Sequence, residues 1–326
     1  MSDEAPLRSA FFDHVDWCGT MSAHQELLDT TPDYADNWAL IEQAASAFES
    51  GARRVSREQV VDIPVVVHVV YSSDEQNVSD AQIHSQIEVL KQDFRKQNQD
   101  IIKVPGIWQD VASDARISFH LATVDPLGRA TTGITRTRTT VTGFAPPDPA
   151  SPDPEKRKGN QVKFTQSGGQ DAWPANAYLN MWVCQLNGLL GYAQFPGGPA
   201  ATDGVVITYK GFGTNGTATA PFNGGRTATH EVGHWLNLRH IWGDRRGCAG
   251  DDFVADTPNQ EGPNFGVQAF PHVSCGNGPD GDMFMNYMDY TDDAVMFMFT
   301  EGQVARMHST FENARRTFAT QMAVLA

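Results

Sequence analysis

Three histidines and a glutamate are packed into one short stretch, Thr229-His230-Glu231-Val232-Gly233-His234-Trp235-Leu236-Asn237-Leu238-Arg239-His240. On a helix, residues four apart project from the same face, so His230 and His234 can reach one ion together. Imidazole nitrogens bind zinc at roughly 2.0–2.1 Å. Zinc lowers the pKa of a bound water to about 7, and Glu231 is placed to take the proton from it. A His-Glu-x-x-His pattern alone is a modest signal, because exposed or hydrogen-bonded histidines occur on many helices. His240 strengthens it. It lies too far along to ligate from the same straight helix, so the chain must turn, and Asn237 tolerates the left-handed conformation that such a turn requires. Three protein ligands leave the fourth zinc position open, which is the mark of a catalytic rather than a structural site.

The stretch resembles the extended His-Glu-x-x-His-x-x-Gly-x-x-His signature of the metzincins, with Asn237 where the signature has Gly. Phe284-Met285-Asn286-Tyr287-Met288-Asp289-Tyr290 resembles their methionine turn, with Met288 as its methionine. Together the two segments are similar to the pappalysin family, especially its bacterial cytophagalysin and ulilysin-like members. The likeness continues through Leu189 to Pro196, Asp251 to Pro258, and Met298 to Gln303, and so covers most of residues 160 to 310. It implies zinc on His230, His234 and His240, general-base work for Glu231, and a structural place for Met288 beneath the imidazoles. It also implies that Tyr290 stabilises the tetrahedral intermediate, as a phenol donor aimed at a developing oxyanion would. The bland alternative for Tyr290 is an aromatic packed under the site.

Further features follow from the same resemblance. Cys18, in Trp17-Cys18-Gly19-Thr20, resembles a cysteine switch, a thiolate that fills the open zinc position and keeps the enzyme latent. Its alternative is a free cysteine in a leader. Activation would then need cleavage near Arg53, Arg54 or Arg57. Cys248 and Cys275 are expected to pair, a bridge worth about 3 kcal/mol by loop closure. A second bridge found in relatives has Val267 and Val295 at its positions here. Asp251, Asp252, Asp256 and Thr257 offer clustered oxygens that suit calcium, although their spacing is no EF-hand. Some relatives favour a basic residue after the scissile bond, and Asp292 and Asp293 lie in the right neighbourhood for such a pocket.

The elements around these residues read as follows. Residues 1 to 57 form a separate leading segment with a helix near Asn37 to Ser50. A β-prone run, Val60 to Tyr71, opens a second region at 58. Ser79 and Gln82 have capping-box spacing before a helix with Ile83, Ile87, Leu90 and Phe94 on one face. Strands are expected at Ile117 to Leu121, Ile134 to Val141, Tyr178 to Cys184 and Val205 to Tyr209, with a short edge strand between Gly188 and Gly198. A long Gly, Asp and Pro-rich stretch, Gly243 to Asp282, follows the histidines. A final helix capped by Thr300 and Gln303 should bury Val304, Met307, Phe311, Ala314 and Phe318. The expected architecture is α+β, of the metzincin-type zincin kind. An upper subdomain (58–240) holds a twisted mixed sheet and the active-site helix, and a lower irregular subdomain (241–326) holds the methionine turn and C-terminal helix.

A net charge of −15 argues against nucleic acid or anionic membrane as partner. No apolar run is long enough to span a bilayer, and the acidic, polar N-terminus is not a secretory signal. The reading is therefore a secreted zinc endopeptidase acting on proteins or peptides, made as a latent zymogen and using a Glu231-activated zinc-bound water, with calcium as a second cofactor. The alternative is a catalytically inert, zinc-containing module that binds peptides. Glu231 and Tyr290 count against it, because holding a metal needs neither.

Overall fold

The computed structural model describes residues 17–49, 60–153, 157 and 159–320. The expected boundary near 58 and the arginines of the activation segment lie outside the described residues. The β-prone run forms β1 (Val61–Tyr71), the spine of a six-stranded sheet. Its first half pairs in parallel with β2 (Ile117–Leu121) and its second half with β3 (Ile134–Arg138). On its other side follow β4 (Leu179–Cys184) and β6 (Val205–Thr208), both parallel, and β5 (Gly191–Ala193) closes the edge antiparallel to β6. Both faces of β1 are covered, which explains its near-continuous apolar sequence. Val61, Ile63, Val65, Val67 and Val69 share a core with Ile83, Ile87, Leu90 and Phe94 of α3 (Asp80–Phe94). Val70, on the opposite face, packs with Trp182, Tyr192 and Val206. Each such side chain contributes roughly 1.5–3 kcal/mol when removed from water.

Ser79 caps α3 by accepting from the Gln82 amide, but the reciprocal half of the expected box is absent. The Gln82 side chain is used instead to hold the loop after β6, donating to the carbonyls of Tyr209 and Phe212. Two helices precede the sheet, α1 (Thr20–Thr30) and α2 (Tyr34–Glu49). The histidine helix is α4 (Arg226–Trp235), and every residue of it is buried. Between it and the C-terminal helices the chain is irregular, with a two-residue pairing of β7 (Phe265–Gly266) on β8 (Tyr290–Thr291) and a single bridge between Asn286 and Met298.

The C-terminal helix departs from expectation. Helix α5 (Glu301–Thr310) opens with the full Thr300–Gln303 capping box, then breaks, and α6 (Arg316–Thr320) resumes after a turn. Ala314 is exposed, and Arg315 takes the inward place. The reason lies at the end of α4, whose last turn leaves carbonyls without helical partners. Arg315 Nε donates to the Trp235 carbonyl, its guanidinium lies 3.6 Å over the Trp235 ring, and it pairs with Asp203. Val304, Met307, Phe311 and Phe318 return to the core of the sheet. A second, smaller core begins at Ile241 and Trp242 and gathers Met283, Met285, Tyr290 and Phe297.

Candidate active site

Helix α4 ends in a Schellman arrangement. Leu238 N–H donates to the Gly233 carbonyl, Asn237 N–H to that of His234, and Asn237 takes φ 74°. The expected left-handed residue is therefore the one found. The turn brings His240 back to the helix, and His234 Nε2 lies 3.1 Å from Nε2 of both His230 and His240.

These contacts are not hydrogen bonds. His230 Nδ1 lies 2.7 Å from the Tyr287 carbonyl and His234 Nδ1 2.7 Å from that of Leu238. Carbonyls only accept, so both Nδ1 atoms carry the proton and both Nε2 atoms present lone pairs. His240 Nδ1 faces the Asp244 carboxylate, with the same consequence. Burial, and then the neighbouring imidazoles, lower the pKa of His230 to about 3 and that of His234 well below the usual range, so both rings stay neutral. Three lone pairs converging in a buried spot repel one another unless a cation lies between them. Ligands at zinc bond lengths in a tetrahedron stand roughly 3.3 Å apart, close to what is found. The donor set fits zinc.

Cys18 completes the cluster, with its sulfur within 4.8 Å of the imidazole nitrogens. The segment carrying it lies along the sheet edge, where Gly19 N–H donates to the Gly191 carbonyl and Leu190 N–H to that of Trp17. Cys18 Sγ is 3.4 Å from Glu231 Oε2. Thr20, which the sequence reading passed over, donates to the same oxygen at 3.0 Å and accepts from the Ala193 amide. Two glycines make room for this packing. A Cβ on Gly191 would sit 2.8 Å from Glu231 side-chain atoms, and one on Gly233 would sit 2.5 Å from the sulfur of Met288.

Met288 is fully buried beneath the helix, and its carbonyl accepts from Ile241 N–H. Arg226, also absent from the sequence reading, donates to the Tyr287 hydroxyl and to Asp93, both at 2.5 Å. Tyr287 thus holds His230 by its carbonyl while Arg226 holds Tyr287. Spacing hinted at one such partner, since Asp244 is four residues after His240. The link through Arg226 has no sequence signal.

Tyr290 packs on His230 and His240 with ring centroids 5.7 and 5.0 Å apart, and Trp17 stacks on its other side. Beside them a recess opens to solvent, lined by Trp17, Phe222, Arg226, Tyr290 and Asp293 together with His230 and Glu231. Asp293 is in its wall and Asp292 is not. Asp293 accepts from the amides of Gly224 and Arg226, and burial raises its pKa to about 6.

The acidic loop divides. Asp252 is buried with Thr257, whose hydroxyl donates to it at 2.8 Å, and the Val254 carbonyl lies 2.8 Å from the same hydroxyl. Asp251 instead accepts from Phe253 N–H, and Asp256 caps α5 by accepting from Thr300 and Gly302. Among the described residues the three carboxylates do not converge on one point. Cys248 and Cys275 are bonded, with Cα atoms 5.2 Å apart, and staple this region.

The family model described as pregnancy-associated plasma protein-A matches residues 164–312. An extracellular metalloprotease of Verticillium alfalfae is 31% identical over 288 residues, covering 85% of this chain and 84% of that protein. Mature mirolysin of Tannerella forsythia, solved with a cleaved peptide, is 51% identical at TM-score 0.76 over 82% of this chain and 99% of its own. A promirolysin mutant from the same organism is 47% identical at TM-score 0.82, over 93% and 97%. The chain belongs to the pappalysin family of metzincin-type metalloproteases. It is a metalloendopeptidase with the α+β metzincin fold.

A hydrogen-bond partner behind a metal-ligating imidazole fixes its tautomer and aim. Asp244→Ala is expected to weaken metal affinity about 10–100-fold while the fold persists. Chelator competition monitored with circular dichroism checks this, and unchanged affinity would show that Asp244 plays no part in presenting His240.

Proposed function

We propose that this pappalysin is a secreted zinc endopeptidase held latent by its own residues 17–49, with His230, His234 and His240 holding the metal and Glu231 acting as general base. The observation that carries the reading is the convergence of three lone-pair-bearing imidazole nitrogens beside a carboxylate, with the Cys18 sulfur in the remaining place. Zinc, when bound, supplies a Lewis acid that polarises the scissile carbonyl and acidifies water.

The chain's own groups do the rest. Glu231, once Cys18 and Thr20 leave, takes a proton from the attacking water and delivers it to the leaving amine. Tyr290 donates to the oxyanion that develops on the carbonyl. Gly191 on β5 leaves its backbone free to pair with an extended peptide, as it now pairs with the Cys18 segment. Latency agrees with the longer match to the pro-form than to the mature relative, and export with the relatives named extracellular. The test is cleavage of a denatured protein by the processed chain. Glu231→Ala should reduce the rate about 10²–10⁴-fold, and 1,10-phenanthroline should abolish it until zinc is restored. Equal rates for parent and Glu231→Ala would remove Glu231 from the general-base role, and no cleavage by either folded, zinc-loaded form would favour a peptide-binding module.

Asp293 in the recess wall favours a basic side chain just after the scissile bond. Ionised above a pKa of about 6, it attracts a cation there, and the attraction fades as the carboxyl protonates below that value. The ratio of kcat/KM for Arg over Leu substrates should therefore fall between pH 7 and pH 5, and Asp293→Asn should flatten it. A ratio independent of both pH and the substitution would remove Asp293 from the pocket chemistry.

Asp252, Thr257 and the Val254 carbonyl are the oxygens best disposed to hold calcium. Burial raises the Asp252 pKa to about 7, and a bound cation would favour its charged form. Calcium-selective chelation should lower Tm with zinc content unchanged, and Asp252→Asn should abolish that difference. Identical melting curves with and without calcium would eliminate the site.

A further inference from the structure

Helix α2 packs on α5 and on the turn that ends α4, through residues other than those that bring Cys18 to the imidazoles. Trp38 and Glu42 are four residues apart and so leave α2 from one face, one turn above the other. Both Glu42 carboxylate oxygens lie 2.6 Å from Arg306 Nη2. Asn237 Nδ2 donates to the same carboxylate at 3.0 Å, and Arg306 Nε donates to the Asn237 carbonyl at 2.8 Å. The Arg306 side chain is 1% exposed and that of Glu42 20%, so the pair is largely withdrawn from water. One turn earlier, the Arg239 guanidinium is sandwiched 5.0 Å from the Trp38 ring and 4.5 Å from that of Phe253. Below these contacts Tyr34, Ile41, Ala45 and Phe48 are buried.

None of Asn237, Arg239, Phe253 or Arg306 belongs to the metal cluster or lines the recess. Yet Asn237 is the left-handed residue that returns His240. A glycine there would satisfy the backbone equally well, so the amide that stands in its place serves something other than the turn. Here it binds Glu42.

We propose that Asn237, Arg239, Phe253 and Arg306 form a second binding site, apart from the metal cleft, for a helix bearing an indole and a carboxylate one turn apart. Its ligand in the intact chain is α2, held there independently of Cys18. The proposal rests on the reading of residues 17–49 as a latency segment. Desolvation makes the site selective for a charged carboxylate, because an isosteric amide cannot compensate the buried guanidinium. The indole supplies the cation–π half of the recognition.

The test is amide hydrogen exchange on the full-length chain carrying Glu231→Ala, which prevents self-cleavage, loaded with zinc. Glu42→Gln should raise exchange across residues 34–49 by about tenfold or more, and Trp38→Ala should do the same. Cys18→Ser should raise exchange near residues 17–24 and leave residues 34–49 within about twofold. The proposal is overturned if both α2 substitutions leave that helix as protected as before, or if Cys18→Ser alone releases it fully. Latency itself is judged separately, by comparing substrate cleavage by the intact and processed forms of the chain with Glu231 restored. An intact chain as active as the processed one would overturn latency without altering the exchange result.

Discussion

Three imidazole lone pairs pointed at one buried spot are unfavourable until a cation neutralises them, and the groups behind the rings keep them pointed there. Each ring has a partner behind it: the Tyr287 carbonyl, the Leu238 carbonyl and the Asp244 carboxylate. Each partner is itself fixed. Tyr287 is tied to Arg226 and Asp93, Leu238 belongs to the Schellman turn, and Asp244 lies four residues beyond His240 in a chain already reversed. Burial lowers the pKa values of His230 and His234 and keeps both rings in the neutral form that can ligate a metal. The cost of assembling such a site is met by the sheet core, where β1 and α3 bury long apolar rows that take no part in the chemistry.

The open fourth position that makes a catalytic metal useful also makes it dangerous to the cell that produces it. On the proposed latency reading, residues 17–20 occupy the same edge strand that an extended peptide would use. Residues 17–20 run along β5, where Gly19 N–H donates to the Gly191 carbonyl and Leu190 N–H to that of Trp17, and they bring the Cys18 sulfur to the three imidazoles and the Thr20 hydroxyl to Glu231. Gly191 is small enough for Glu231 to lie against it. On that reading, blocking metal and base together is stronger than blocking either, because a water that entered would find no group to take its proton.

What could be read from the sequence was what depends on local spacing. The converging histidines, the left-handed Asn237, the apolar faces of β1 and α3 and the box at Thr300 all declare themselves within a dozen residues or so. What escaped depends on long-range pairing. Ala314 fits a helical period, but Arg315 is drawn inward by the Trp235 carbonyl and Asp203, which no local pattern announces. Gln82 has capping-box spacing and is spent on a distant loop. Asp256 reads as a metal ligand from its acidic neighbours, and its carboxylate is engaged by the start of α5. A polar side chain has several satisfying partners, and only the assembled fold decides which one it takes.

The irregular stretch between the histidines and the methionine turn follows from that last point. It has almost no backbone ladder, so its position cannot come from secondary structure. Two devices replace one. The Cys248–Cys275 bond closes the loop, and the buried Asp289 carboxylate collects donors from Gln260, Asn264 and its own neighbour Tyr290. Asp289 sits between the loop and the phenol that faces the cleft, so the loop's fold and the aim of Tyr290 are settled by one acceptor. Burial alone would push that carboxylate toward its neutral form, and its pKa of about 6 reflects the contest between desolvation and those donors. A catalytic half built this way gains a shaped cleft without regular structure, at the cost of depending on a few buried side chains, each with several hydrogen bonds to lose.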